Sequence, residues 1–363
     1  IPSGCRFLGV VKADAYGHGA VPISKKLEEL GAEYLAVSNL EEAEELRHHG
    51  VELPLLLLGY TPADMTEMLI DNRVTQDVPS LEAARDYSAA AKACGKTLKV
   101  HLKLDTGMGR LGFQCDEGSF DRSLAEILEA MRLPNLDWEG VFMHFCVADS
   151  RAEEDVSFTK LQYKRFMDML SAMEGVGIRP EIRHCCNSGA TILYPEFALD
   201  MVRPGIITYG NAPSEELEGA ISLRPMMSLH SMIAQVRTVP AGTDISYGRL
   251  YRTTHDTRVA VLPIGYADGL HRALSNQIEV LTPYGRAKQV GRICMDMCMI
   301  DVTDLPQVKS GDEVEIFGEH ILCADDAALC DTIPYELMCA VSKRVPRVYR
   351  LNGVPVDKNL QPL

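Results

Sequence analysis

A chain of 363 residues is too long for one small domain and suits a large barrel with an appended domain. Its 46% hydrophobic and 24% charged residues are those of an ordinary globular enzyme, and no apolar run nears the roughly 20 residues needed to span a bilayer, so no membrane segment is expected within it. The net charge of −15 argues against nucleic acid as a partner, and 11 scattered cysteines read as reduced thiols of a cytoplasmic protein.

The first four residues lead almost at once into an apolar strand at 7–11, so the sequence reads as one that starts inside a strand–helix unit, with a preceding segment expected. A glycine-bearing loop follows, then a helix with the stripe Ile23, Leu27, Leu30, stopped by Gly31. Further strands are expected at 34–37, 55–58, 74–76, 98–104, 141–145, 182–186 and 201–203. Helical patterns separate them, among them 81–93 and a long one carrying Phe166, Leu170 and Met173. Eight strands alternating with helices predict an α/β fold, a TIM-type (β/α)8 barrel over residues 1–215. From about residue 226 the helical period fades. Segments 228–236, 259–262, 277–281 and 313–317 are rich in β-branched residues and punctuated by Gly and Pro, which predicts a mostly-β second domain over 216–363. Cys185-Cys186 and Cys294 with Cys298 lack a second pair at zinc-site spacing, so no metal is expected.

Barrel enzymes of this type carry their chemistry at the C-terminal ends of the strands. Here those ends hold Lys12, the segment 103–110, His144, the run 184–188 and Arg203, a mostly cationic set. Lys12 ends an apolar strand. Desolvation there would lower its pKa and free a nucleophilic amine; the alternative is a surface lysine at a strand end. Asn187-Ser188-Gly189 and Pro204-Gly205-Ile206 follow the last two strands, where barrels commonly bind phosphate; the alternative is an ordinary capped helix. Taken together, the amine and the anion site suggest a phosphorylated aldehyde cofactor bonded to Lys12. Arg203 could face a pyridine nitrogen and keep it unprotonated, or pair with an acidic neighbour.

Residues 11–19, Val-Lys-Ala-Asp-Ala-Tyr-Gly-His-Gly, resemble the cofactor-lysine signature of the alanine racemase family. Residues 101–113, 184–188, 201–206, 246–248, 263–269 and 291–296 resemble further blocks of that family, in order along nearly the whole chain. The resemblance implies pyridoxal phosphate as cofactor and a homodimer with shared active sites. Lys12 would hold the cofactor and act as base on the D face of the substrate, and the partner's Tyr247 as base on the L face. Arg110 and Met295 would bind the substrate carboxylate. Arg203 would sit at the pyridine nitrogen with His144 behind it, and Tyr16, Ser188, Gly205, Ile206 and Tyr335 would hold the phosphate. Lys103 resembles a lysine that is carbamylated in relatives, and Asp149, Tyr266 and Arg292 resemble residues that narrow the access channel.

The implied activity is interconversion of L- and D-alanine, supplying D-alanine for peptidoglycan. A serine or broad-specificity racemase of the same family is the alternative, and Tyr335 leans toward alanine. A non-catalytic cofactor-binding barrel would lack the β-rich second domain and Tyr247, and a related decarboxylase would need a different constellation there. Two bases suit the chemistry, because one base would return the proton to the face it came from. Free lysine and tyrosine both have pKa values of about 10, so each must be tuned by its surroundings.

Overall fold

The computed structural model describes residues 1–358, 360 and 361. Strand Leu98–Asp105 shows how the sequence builds the barrel. Leu98, Val100, Leu102 and Leu104 alternate with Lys99, His101 and Lys103, and the leucines and valine are at most 1% exposed. A period of two sends the apolar set outward against helices and the polar set toward the barrel axis.

Eight parallel strands form the barrel, some alternating in this way and others, such as β2 and β3, apolar throughout: β1 Arg6–Val10, β2 Tyr34–Val37, β3 Leu55–Leu57, β4 Val74–Val78, β5 Leu98–Asp105, β6 Leu136–Phe142, β7 Ile182–His184 and β8 Met201–Val202. They pair in the order β7-β6-β5-β4-β3-β2-β1-β8, with a two-residue strand, Phe113–Gln114, added on β5. The sheet curls until its ends meet. The Asp200 N–H donates to Arg183 O at 3.1 Å and the Arg203 N–H to Cys186 O at 2.9 Å, nearly closing the barrel. Helices Ala20–Glu29, Leu40–His48, Leu81–Ala93, Phe120–Ala130 and Glu153–Gly175 run outside it. Asn39 and Ser80 cap two of them through Glu42 N–H and Ala83 N–H, each cap worth about 1 kcal/mol.

All eight expected strands form, with shifted bounds. β6 starts at Leu136, before the expected 141–145, because its first half carries Asp137 and Glu139 and hides its strand character. β4 runs on to Val78 through Thr75, Gln76 and Asp77, polar residues that the barrel nevertheless buries.

Most strands in the rest of the chain form a seven-stranded antiparallel sheet, the mostly-β architecture expected. Its spatial order is Leu229–Met232, Glu313–Phe317, Glu279–Thr282, Gly285–Gln289, Cys298–Asp301, Thr257–Leu262, Gln235–Val239. Two helices, Cys323–Leu329 and Pro334–Ala340, were not expected there. Each is too short to show a clear apolar period and depends on docking for its stability. The second packs back on the barrel: a Cβ at Gly17 would stand 2.2 Å from Met338 O. Arg347 pins the same junction by donating to Gly17 O at 3.1 Å and Val341 O at 2.7 Å. Among the described residues, no helix is long and apolar enough to cross a membrane.

Candidate active site

Lys12 follows β1 at the barrel mouth, and the next residues take an unusual path. Ala13, Asp14, Ala15 and Tyr16 all have φ of 53–54°, a single left-handed turn. For non-glycine residues this costs roughly 1–2 kcal/mol each, so the surroundings must hold it. They do so with local hydrogen bonds. The Ala13 N–H donates to Glu42 at 2.7 Å, Asp14 accepts from Ala20 N–H at 2.7 Å, and Gly17 N–H closes the turn on Ala13 O at 3.0 Å. Lys12 is half-buried, and burial, together with the Arg110 charge, lowers its pKa. Both effects shift the amine toward the neutral, nucleophilic form, which favours the reading of a shielded amine over that of a surface lysine.

Next to it the barrel axis is crowded with charge. Lys103 is buried, with Nζ 4.1 Å from the Phe142 ring centroid. Burial and Arg203 lower its pKa, while burial raises that of nearby Asp77. Arg110 lines the same space and makes no hydrogen bond or ion pair among the described residues. Arg203 is 4% exposed and donates to His184 Nδ1 at 3.0 Å, Met143 O at 2.7 Å and Cys185 O at 3.1 Å. Among the described residues it pairs with no carboxylate, so the salt-bridge alternative is set aside. His144 Nδ1 lies farther from it, at 3.4 Å. Burial and the surrounding cations push the His144 pKa well down, leaving a neutral ring.

A cradle closes the other side. The Ser188 hydroxyl accepts from Gly205 N–H at 2.9 Å. A Cβ at Gly205 would stand 2.5 Å from the Tyr16 hydroxyl, so any larger residue would have to displace the Tyr16 ring. Tyr16 and Tyr335 have ring centroids 5.7 Å apart, and burial pushes both phenols up, so both keep a proton to donate.

These groups converge on one cavity of about 610 Å³ lined by Lys12, Tyr16, Lys103, Arg110, His144, Asp149, Ser188, Arg203, Gly205, Ile206 and Tyr335. Tyr247, Tyr266, Arg292 and Met295 do not line it. They form a second cluster on the β-rich part of the chain. Ser246, at φ 66°, turns the backbone and donates from Oγ to Arg292 O at 2.7 Å, while the Tyr266 and Ala267 N–H groups donate to Cys294 O and Met295 O at 3.0 Å. Tyr247, Tyr266 and Met295 are 71%, 42% and 54% exposed.

Sequence reasoning missed two contributors and the partner of a third. His184, not His144, is the nearer imidazole to Arg203; its place at the end of β7 was visible, its partner was not. Arg344 clamps the second cluster by donating to Asp268 and Asp296 at 2.7 Å each, a link no local pattern announces. Cys339 lines the cavity from the unexpected helix.

A shielded amine at the mouth of a parallel barrel, with two arginines and a group of hydroxyls on the same cavity, marks a barrel enzyme with an antiparallel second domain. The chain belongs to the alanine racemase family: residues 1–213 match the profile of the alanine racemase N-terminal domain and residues 226–349 that of its C-terminal domain. An alanine racemase of Desulfovibrio desulfuricans is 47% identical over 347 residues, 95% of this chain and 91% of the relative. The solved alanine racemase of Clostridium difficile 630 superposes with a TM-score of 0.92 at 41% identity, covering 98% of this chain and 92% of that one. The alanine racemase of Bacillus anthracis with bound L-Ala-P gives 0.90 at 36% identity, covering 98% and 91%. The chain is accordingly an isomerase, an amino-acid racemase.

Proposed function

We propose that this protein interconverts L- and D-alanine with pyridoxal phosphate in a homodimer of shared sites, and that it works in the cytoplasm, supplying D-alanine for peptidoglycan. The carrying observation is the convergence of a pKa-lowered Lys12, a buried Arg203 without a carboxylate and the Ser188–Gly205–Tyr16 cradle on one cavity. Those residues fit the cofactor. Ser188, Gly205, Ile206, Tyr16 and Tyr335 offer hydroxyl and backbone donors for its phosphate, Arg203 a donor for its ring nitrogen, and Lys12 an amine for its aldehyde. When bound, pyridoxal phosphate supplies a conjugated sink for the charge left on Cα as its proton departs.

The chain's own groups do the rest. Arg110, unpaired at the cavity, binds the substrate carboxylate, with the partner's Met295 backbone alongside. Lys12 takes or returns the Cα proton on one face and the partner's Tyr247 on the other. Lys103, its amine pushed toward the neutral form that reacts with carbon dioxide, is carbamylated and orients Arg110. Asp149 borders the cavity directly, while the partner's Tyr266 and Arg292 narrow the approach. All eleven cysteines are free thiols, as suits a reducing cytoplasm.

The test is direct. Purified protein with cofactor interconverts the alanine enantiomers with a kcat/KM above that for serine, and Lys12→Ala lowers activity by at least about a thousandfold. Full activity in Lys12→Ala would overturn the role of the lysine, and a preference for serine would move the assignment to a serine racemase.

A further inference from the structure

Arg203 is supported from beneath by a continuous polar chain through the barrel. Its guanidinium meets His184 Nδ1 at 3.0 Å, His184 Nε2 meets His101 Nδ1 at 3.0 Å, and His101 Nε2 meets Glu139 Oε2 at 3.2 Å. Both imidazoles are 0% exposed. A guanidinium can only donate, so His184 Nδ1 must accept and its hydrogen must sit on Nε2. That hydrogen is donated to His101 Nδ1, which leaves the His101 Nε2–H for the carboxylate. One proton arrangement alone satisfies all four ring nitrogens, and both rings are then neutral. Burial acts in the same direction, lowering the pKa of each.

Two local features serve this chain. The pairing of β5 with β6 slips by one residue, from Val100↔Trp138 to His101↔Gly140, which makes Glu139 the extra residue of a bulge. Bulges re-aim a side chain, and here the carboxylate reaches a ring at the barrel axis. Gly140 is the second: a Cβ there would stand 2.6–2.8 Å from three atoms of the His101 ring. Burial works to raise the Glu139 carboxyl, but donation from His101, Lys99 and Tyr34 outweighs it and holds the group down at about 2. Glu139 therefore stays charged at neutral pH, beyond two polarisable rings from a buried arginine that pairs with no carboxylate among the described residues.

We propose that Glu139 and His101 are positioning residues for racemisation. Through His184 they hold the Arg203 guanidinium in one orientation toward the cofactor's ring nitrogen and set a counter-charge behind it, which keeps the amino group from being lost to the cofactor. The inference rests on the placement of Arg203 under the proposed function. The abortive reaction it guards against is balanced: alanine and the aldehyde cofactor give pyruvate and the amine form of the cofactor, the substrate Cα being oxidised as the cofactor's carbonyl carbon is reduced.

The experiment counts pyruvate released per racemisation turnover in the holoenzyme, and reads the ring nitrogens by 15N NMR. In Glu139→Gln, which keeps an acceptor for His101 and removes the charge, pyruvate per turnover rises about tenfold. Wild-type protein shows His101 and His184 neutral, with the hydrogen on Nε2 in both; this measurement decides the matter even if the variant does not fold. Arg203→Lys separates the two layers of the argument. If it raises pyruvate while Glu139→Gln does not, or if either ring carries its hydrogen on Nδ1, the positioning role is overturned. If Arg203→Lys changes neither pyruvate nor cofactor affinity, the placement of Arg203 itself falls, and the proposal with it.

Discussion

As the proposed pair of bases, Lys12 and Tyr247 are chemically unlike. Lys12 is half-buried beside Arg110 and its pKa is lowered by that setting. Tyr247 is exposed in the single chain, and under the proposed function it meets its proton only across a subunit boundary. If each serves one face of Cα, removing one base should not silence the other. Tyr247→Phe is therefore expected to lower racemisation by about a hundredfold or more, while Lys12 still exchanges the proton on its own face. In deuterated water, D-alanine should gain deuterium at Cα without inverting, and L-alanine should gain almost none. Equal exchange into both enantiomers would remove the division of labour.

At the scale of elements, legibility followed periodicity. The strand at 98–104 was readable because apolar residues recur at strand spacing, and that at 34–37 because it is a short unbroken apolar run with polar residues on either side. The left-handed turn after Lys12 was not, since Ala13, Asp14 and Ala15 carry no residue-level sign of positive φ; distant partners such as Glu42 impose it. Helix Pro334–Ala340 was hidden for a related reason, being shaped by the barrel it docks on. Most of the cavity lining was legible because short motifs fix it at strand ends. The Glu139 bulge was not, because register is a property of two strands together. The loop after β8 allows a test of the cradle. Gly205→Ala places a methyl 2.5 Å from the Tyr16 hydroxyl, so cofactor affinity should fall at least about tenfold by fluorescence titration, with the barrel intact by circular dichroism. Unchanged affinity would place the phosphate elsewhere.

On the scale of the whole molecule, the residues of the proposed site fall into two separate groups on one chain. The cavity holds Lys12, Arg110 and Arg203, while Tyr247, Tyr266 and Met295 stand exposed on a cluster clamped by Arg344. An exposed patch with two aromatic residues, held by hydrogen bonds and ion pairs of its own, is the form expected of an interface that delivers side chains rather than of a solvent face. If each site takes Lys12 from one subunit and Tyr247 from the other, two dead variants can repair each other. Lys12→Ala and Tyr247→Phe homodimers are each nearly inactive. Unfolded together and refolded at equal amounts, half of the dimers are mixed, and each mixed dimer holds one site with both native bases and one with neither. Activity should therefore recover to about a quarter of wild type, and to no more. Recovery should vanish if the two variants are mixed without subunit exchange. A site complete within one chain would give no recovery under either condition, so the height of that plateau measures the sharing directly.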